Sequence, residues 1–377
     1  MASERENRAA FDVQAQYCDA MAAPVTARIA RALGRTLDRS TATGSRVLDW
    51  AGEPVADALA LRLIGGLHAL HRTRVDAALS AAFEGAVAED SATDTALADA
   101  VARYDVALLP WLDGPPQTNE AGRSAGLMTG LLHLAARFGP RVELLEIGSS
   151  AGLNLMMGRY AFDLGGIAVT PPSPAIVIRP DWRGVAPPGA PIEIVSARGV
   201  DVAPIDLADP AAAARLAAYV WIDAAERQER LQRAVALVRT EGVTLDRGDA
   251  ADWVEARLAE PQVAGTTRVL VHSVVWQYLA PEGRARIRAA MDAAGARATS
   301  TRPLGWVMME PNRDLHRQEV RVQGWPGDTP MALVALTHAH GTWVEGLSPP
   351  HVTRDYRMWR GGYETGPGEA GPGAPPQ

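Results

Sequence analysis

The sequence contains no lysine, so all 37 of its basic residues are arginine. Several chemistries need a lysine at the reacting centre. They include Schiff-base formation with pyridoxal or carbonyl substrates, phosphate binding in P-loop proteins and kinases, and the Ser-Lys dyad. The composition alone excludes these classes.

Cysteine is almost as scarce, because Cys18 is the only one in 377 residues. This excludes an intrachain disulfide framework and any zinc or iron–sulfur site with several cysteines. We expect Cys18 to be inert packing. The histidine pairs His68 with His71, on a predicted helix, and His338 with His340, on a predicted strand, lack a third ligand. We therefore predict packing and no metal site.

Long apolar runs are also missing, since no stretch of about 18 apolar residues could span a membrane. The start MASERENRAAFDVQ has no signal-peptide core. We therefore expect a cytoplasmic protein without a membrane partner. The formal net charge of −7 and pI near 5.7 argue against nucleic acid as the main partner, because phosphate binding rests on clustered positive charge. A small-molecule substrate remains the expected partner, and the sequence leaves the oligomeric state open.

Residues 1–139 carry helical signals and predict a helical N-terminal cap domain. Leucines recur at helical spacing within Val55–Ala82. In QTNEAGRSAGLMTGLLHLAARFGP, Thr118 or Asn119 is predicted to cap a helix that stops at Gly139.

From Arg141 onward, short β-rich runs alternate with amphipathic stretches. Strands are predicted at 142–147, 192–200, 243–246, 268–275 and 304–310, followed by an antiparallel pair at 319–323 and 331–338. This order predicts an α/β domain over residues 140–348, a Rossmann-like, mostly parallel sheet with an antiparallel edge, as in class I methyltransferases. Residues 163–190 form a predicted insertion and 361–377 a predicted disordered tail.

The stretch LLEIGSSAGLNL, residues 144–155, supports two interpretations. Gly148-Ser149-Ser150-Ala151-Gly152 fits G-x-S-x-G, the turn that presents a serine nucleophile. Alternatively, Glu146 ends a buried strand and opens a glycine-rich loop whose backbone amides approach a cofactor. In that interpretation Ser150 replaces the second glycine of the methyltransferase pattern.

The glycine-loop interpretation predicts a site for S-adenosylmethionine. An acidic strand end can organise the ammonium group, and Asp201, after the second predicted strand, can accept both ribose hydroxyls. Asp249 in RGDAADW, with Ala250 or Asp252 beside it, is predicted to contact adenine, although both aspartates could equally cap a helix. The predicted cofactor-binding residues are Glu146, Gly148, Ser149, Ser150, Gly152, Asn154, Asp201, Asp249, Ala250, His272 and Ser273.

Polar residues at the ends of the fourth and fifth predicted strands suggest a substrate side of the same crevice, because α/β ligands bind beyond the carboxyl ends of strands. HSVVWQYL contributes Trp276 and Gln277, and MEPNRDLH contributes Asn312 and Arg313. If the acceptor must lose a proton, the predicted bases are Tyr278, Glu310 or His272.

Several stretches taken together resemble a bacterial family of uncharacterised proteins with a methyltransferase-like core: QTNEAGRSA, LLEIGSSAGLNL, YVWIDAAERQERLQRA, HSVVWQYL and MEPNRDLH. The resemblance covers roughly Phe11 to Val344. It implies the fold and S-adenosylmethionine as ligand, with Glu146, Gly148, Gly152 and Asn154 matching the loop. Because QTNEAGRSA precedes the first strand, Asn119, Glu120 and Arg123 become candidates for a substrate lid.

Three functions follow as alternatives. The leading one is methyl transfer from S-adenosylmethionine to a small molecule, in which positioning can supply most of the catalysis. The second is a serine hydrolase that uses Ser150 with His316 or His338 and an acid such as Asp249. The third is a binding or regulatory protein that has the fold without the activity. The methyl acceptor stays open.

Overall fold

Helices form the first part of the chain in the computed structural model, which describes residues 2–87, 89–312, 315, 317–327 and 330–352. They are α1 (Glu4–Ala20), α2 (Pro24–Thr36), α3 (Ala42–Leu48), α4 (Leu59–Arg72), α5 (Ala77–Phe83), α6 (Asp90–Arg103) and α7 (Asp105–Leu108). Leu59, Leu63 and Leu67 are fully buried on one side of α4, because residues four apart lie on the same helix face. These helices share one apolar cluster, which also contains Phe11 and Cys18.

Helix α8 (Ser124–Phe138) packs on the sheet rather than on the N-terminal cluster, since Leu127, Leu131 and Leu134 belong to the core that includes the strands. Its beginning differs from the prediction. Neither Thr118 nor Asn119 caps it, because a 3-10 helix at Ala121–Arg123 comes between. The Asn119 side chain accepts instead from the backbone amide of Leu153, directly after the glycine loop at residues 148–152.

The strands form a large sheet and a small one. They are β1 (Arg141–Ile147), β2 (Tyr160–Leu164), β3 (Ile167–Val169), β4 (Ile176–Ile178), β5 (Asp181–Gly184), β6 (Glu193–Asp201), β7 (Leu245–Arg247), β8 (Thr267–Ser273), β9 (Leu304–Asn312), β10 (Arg317–Trp325), β11 (Ala332–Thr337) and β12 (Trp343–Val352). The large sheet has nine strands in the order β5-β12-β11-β10-β9-β8-β1-β6-β7, and the small one has the order β3-β2-β4.

The middle of the large sheet is parallel and one side is antiparallel. β7, β6, β1, β8 and β9 pair in parallel, and β10, β11 and β12 continue from β9 in antiparallel register. The chain moves from β1 outward through β6 to β7, then returns to the other side of β1 as β8. The strand order therefore reverses between β1 and β8, and the fold is a mixed α/β structure with a mostly parallel sheet.

The predicted insertion is structured rather than a plain loop. β2, β3 and β4 make the small sheet, and β5 pairs in parallel with β12 at the far edge of the large one. No α-helix connects β1 to β6 in this part of the chain; a 3-10 helix at Leu153–Arg159 follows the glycine loop.

Helices between the later strands begin and end where the sequence indicates. They are α9 (Pro210–Ala218), α10 (Ala225–Glu241), α11 (Ala250–Ala259) and α12 (Pro281–Gly295). Asp209 caps α9 by accepting from the Ala211 amide at 2.9 Å. Gly242 ends α10 with a φ of +77°, which glycine adopts without strain.

The two faces of the sheet bury separate apolar layers. Val142 and Leu144 of β1 face the layer that contains α8, whereas Leu145 and Ile147 face the layer of α11 and α12. Side chains alternate between the faces of a strand, so β1 is apolar on both. Burial on both faces places its carboxyl end, Glu146 and the glycine loop inside the protein.

Candidate functional site

The glycine loop after β1 bends sharply through three left-handed residues. Gly148, Ser150 and Gly152 have φ values of +66°, +53° and +76°. Glycine is also required sterically at Gly148, because a Cβ there would overlap the Val275 side chain. Ser150 is the exception, since a left-handed conformation costs a non-glycine residue roughly 1–2 kcal/mol.

Glu146 is a buried acid with only part of its hydrogen-bonding capacity used. Its side chain is 1% exposed, and its Oε1 accepts from Asn154 Nδ2 at 3.0 Å. Glu146 Oε2, Asn154 Oδ1 and Ser150 Oγ are buried without a hydrogen-bond partner among the described residues. Burial raises the pKa of Glu146 to about 8, against weaker stabilisation of its anion by Asn154. A proton is therefore retained on this acid at neutral pH.

Several amides at the glycine loop are already bonded within the protein. The Ser149 amide donates to Val200 O at 3.1 Å, and the Gly152 amide to Ser149 O at 2.7 Å. The Leu153 amide, at the start of the following 3-10 helix, donates to Asn119 Oδ1 at 2.8 Å. The sequence predicted that the loop would offer its backbone amides to an anionic group of the ligand; these bonded amides do not bind one.

Asp201 is the last residue of β6 and lies beside the glycine loop. The sequence predicted it at the end of the second strand of the sheet. Its Oδ2 accepts from the Ser150 amide and its Oδ1 from the Ala203 amide, both at 2.9 Å. The carboxylate is partly buried. Each carboxylate oxygen can accept a further bond, so Asp201 retains capacity for hydroxyl donors.

The loop after β8 is held by Glu310 from the neighbouring strand β9. Glu310 Oε1 accepts from His272 Nδ1 at 2.6 Å and from the amides of Val275 and Trp276 at 3.1 and 3.2 Å. Glu310 and His272 are 2% and 0% exposed. Val274 has a φ of +56°, a strained conformation for a β-branched residue. Glu310 therefore fixes a strained loop.

The remaining predicted residues of this loop separate into buried and exposed ones. Trp276 is fully buried and stacks on His272 with ring centroids 5.0 Å apart, so it belongs to the core. Ser273 is 8% exposed, and Tyr278 is 75% exposed. Tyr278 alone among these side chains presents most of its surface to solvent.

The QTNEAGR stretch meets the same edge of the sheet. Besides the bond from Leu153 to Asn119, the buried carboxylate of Glu120 pairs with Arg227 at 2.6 Å and with Arg230 at 2.9 Å. Although burial opposes its ionisation, both guanidinium groups hold the pKa of Glu120 below its usual range. Arg123 interacts electrostatically with Glu120, Glu310 and Tyr278, and with Glu146. The QTNEAGR stretch, the glycine loop and the loop after β8 therefore lie close together.

Other predicted residues have structural contacts instead. Asp249 caps α11, accepting from the Ala251 and Asp252 amides, and Ala250 is buried in the apolar layer. Asn312 donates to Glu319 at 3.0 Å. Arg313, His316 and the predicted tail at 361–377 lie outside the described residues.

The described part of the chain gives little support to a serine nucleophile or a metal site. Ser150 Oγ has no described histidine in hydrogen-bond contact, and no group of three or more His, Cys, Asp or Glu among these residues could hold a metal ion. His338 and His340 lie in the turn after β11 rather than on a strand face. His68 and His71 stack on Phe83.

No described helix is long and apolar enough to cross a membrane.

Sequence reasoning missed Arg227, Arg230 and Val275 as parts of this region. Arg227 and Arg230 stand three residues apart in AERQER, a spacing that places both on one face of α10. Because Glu120 is distant in sequence, no feature of the sequence next to either arginine indicates that it pairs with Glu120. Val275 is an ordinary apolar residue, and only the packing shows that it covers Gly148.

The chain matches a family described as uncharacterised proteins conserved in bacteria, DUF2332, over residues 8–345. The protein is a member of this family. Neither the search of curated proteins nor that of solved structures found a match.

Proposed function

We propose that this protein binds S-adenosylmethionine at the carboxyl ends of β1, β6 and β8 and transfers its methyl group to a small-molecule acceptor. The observation that carries the proposal is a group of buried polar atoms without a partner among the described residues: Glu146 Oε2, Asn154 Oδ1 and Ser150 Oγ. Glu146 becomes a full acceptor when its proton leaves. Buried polar atoms ordinarily have partners. A ligand with several N–H donors would satisfy them.

The residues around the loop fit the parts of this cofactor. An α-ammonium group carries three N–H donors, which suits Glu146 and Asn154 together. Asp201 would accept from ribose hydroxyls with the capacity that its two backbone bonds leave. When bound, S-adenosylmethionine would supply an electrophilic methyl group on a sulfonium.

The sheet supports a Rossmann-like interpretation of this site. Numbered along the chain, the parallel strands β1, β6, β7, β8 and β9 stand in the spatial order 3-2-1-4-5, as in doubly wound nucleotide-binding folds. Ligands of such sheets bind where the strand order reverses. That point lies between β1 and β8, beside Glu146 and the loop that Glu310 holds.

The chain's own contribution to the reaction would be positioning and exclusion of water. A methyl transfer requires the nucleophile, the methyl group and the sulfonium in line, and such alignment can supply most of the rate gain. Glu310 holds the loop through Oε1, which accepts from His272 and two amides, while its buried Oε2 has no partner among the described residues and leaves it a candidate base. Tyr278, exposed at the loop's end, remains the candidate for contact with an acceptor.

Calorimetric titration with S-adenosylmethionine and S-adenosylhomocysteine tests the proposal. We expect the intact protein to bind both, and Glu146→Gln to bind at least roughly tenfold more weakly, because it loses a charge-assisted hydrogen bond. Since Glu146 is protonated before the ammonium binds, titrations at pH 7 in different buffers should report release of up to about one proton.

The matched control is Glu193→Gln, an exposed acid at the opposite end of β6, which should bind like the unmodified protein. Failure of the intact protein to bind either ligand would contradict the proposal. Binding without methyl transfer to any member of a metabolite panel would favour the alternative of a non-catalytic binding or regulatory protein.

A further inference from the structure

Three arginines surround the buried carboxylate of Glu120, and all three use Nε for their described acceptor. Arg227 Nε and Arg230 Nε donate to Glu120 at 2.6 and 2.9 Å, and Arg123 Nε donates to Ala339 O at 3.0 Å. Within the described residues, the terminal nitrogens of these guanidinium groups have no acceptor. We call these three residues the arginine cluster.

Within the described residues, the cluster carries more positive charge than its surroundings compensate. Glu120 is its one directly bonded carboxylate among the described residues, and Glu310, which acts on Arg123 from a distance, is bound to His272. The side chains of Arg227 and Arg230 are only 11% and 19% exposed. Both share the one carboxylate of Glu120, and buried cations that are not fully paired cost several kcal/mol.

The turn that joins β11 to β12 covers the cluster. Arg123 donates to Ala339 in this turn, and a Cβ at Gly122 would overlap His340 O and contact the terminal nitrogen of Arg230 tightly. Burial lowers the pKa of His340, and the charges of all three nearby arginines lower it further. A neutral imidazole adds no positive charge but can still donate a hydrogen bond.

The cluster also borders the glycine loop. Arg123 acts electrostatically on Glu146, and Asn119, in the same QTNEAGR stretch, bonds the loop at Leu153. The Ser149, Ser150, Gly152 and Leu153 amides are already bonded within the protein. These four amides are therefore not available to an anionic group of a ligand, and donors outside the loop would stabilise it.

We propose that Arg123, Arg227 and Arg230 form an anion subsite that takes a carboxylate or phosphate group of the small molecule bound beside Glu146. The subsite's position beside a cofactor rests on the proposed function, but its affinity for an anion does not. Planar guanidinium groups with unused terminal nitrogens suit the paired oxygens of such groups. Two sources are possible: the carboxylate of S-adenosylmethionine itself, or an anionic group on the acceptor.

Inorganic phosphate is the first probe, measured by calorimetry against sodium chloride of equal ionic strength. We expect Arg123→Gln to bind phosphate roughly tenfold more weakly than the unmodified protein, because a charged hydrogen-bond donor is lost. Arg239→Gln is the matched control, since Arg239 also donates through Nε to a backbone carbonyl, Leu207 O, and lies more than three helical turns beyond Arg227 on α10. It should bind like the unmodified protein.

A measurement on the unmodified protein removes dependence on the variant's folding. Phosphate should slow modification of Arg123 by phenylglyoxal, as read from peptide mass spectrometry, and should leave modification of Arg239 unchanged.

Titration with S-adenosylhomocysteine and its decarboxylated analogue separates the two sources. If Arg123→Gln weakens binding of the carboxylated ligand only, the cofactor's carboxylate occupies the subsite. If it weakens binding of phosphate while both nucleosides bind unchanged, the anion belongs to the acceptor. Phosphate binding that depends on Arg123 in a protein that binds neither nucleoside would support the subsite and refute the proposed function. Phosphate and nucleoside binding that are both indifferent to Arg123, with no protection from phenylglyoxal, would overturn the inference.

Discussion

Glu146 shows how far a motif predicts a single residue. Its position after an apolar run and before Gly148 predicted an acid at a strand end beside a glycine-rich turn, and it lies there. Its protonation was not predictable, because this depends on burial by β6, β8 and the QTNEAGR stretch. The same holds for Asn154, whose amide bonds Glu146 across eight residues.

The raised pKa of Glu146 predicts how stability depends on pH. In the folded protein the pKa is about 8, above the ordinary 4.5. The folded state therefore holds a proton that the unfolded chain releases between these values, and stability falls as pH rises from about 4.5 to 8. Glu146→Gln removes this dependence. We expect the variant to be more stable than the unmodified protein at pH 8, on the order of a few kcal/mol, and close to it near pH 4.5.

Urea unfolding at steps of pH measures this difference. Glu193→Gln, an exposed acid at the start of β6, should keep the dependence of the unmodified protein. Equal slopes of stability against pH in Glu146→Gln and the unmodified protein would show that Glu146 ionises normally.

The loop after β8 is an element whose conformation is imposed by another strand. Val274 has a positive φ, and a β-branched residue adopts such a conformation only where its surroundings enforce it. Glu310 of β9 supplies that enforcement by accepting from His272 and from the Val275 and Trp276 amides. The carboxylate thereby ties the end of β8 to that of β9.

Removing this carboxylate should release the loop. We expect Glu310→Ala to lower the free energy of unfolding by about 3 kcal/mol, since a buried histidine and two amides lose their acceptor. Hydrogen exchange at the Val275 and Trp276 amides should accelerate. Glu319→Ala is the matched control, because Glu319 is equally buried in the adjoining strand but pairs with Arg317 and Arg321. Unchanged exchange at Val275 and Trp276 in Glu310→Ala would contradict this role.

Strand prediction succeeded for β1 and for β6 to β11, and it missed β2 to β5 and β12. β1, β8 and β9 are buried almost throughout, so their runs are conspicuous in the sequence. β5 is largely exposed and pairs with β12, a partner about 160 residues away for which no local signal exists. β2, β3 and β4 lie in a Pro- and Gly-rich stretch that argued for a loop. The site depends only on the central strands, which explains why its framework was predictable.

The N-terminal helices and the sheet have separate apolar clusters that meet at the segment between α9 and α10. Trp221 and Ile222 pack against the N-terminal cluster, and His68 of α4 contacts Ala218 O through Nδ1 at 2.9 Å. Arg227 and Arg230, a few residues further on, hold Glu120. One segment therefore contacts the N-terminal helices and the candidate site, so disturbance at this junction can reach both.

Asp223 is the polar tie at this junction. It accepts from the Val25 and Thr26 amides, both at 2.9 Å, and so caps α2 from a distant part of the chain. We expect Asp223→Ala to lower the free energy of unfolding by about 1–2 kcal/mol, as for other caps, and to accelerate hydrogen exchange in α2. Asp209→Ala, which removes the cap of α9, should cost a similar amount without affecting α2. Asp209→Ala is expected to leave hydrogen exchange in α2 unchanged. If Asp223→Ala also left it unchanged, Asp223 would not anchor the N-terminal helices to the sheet.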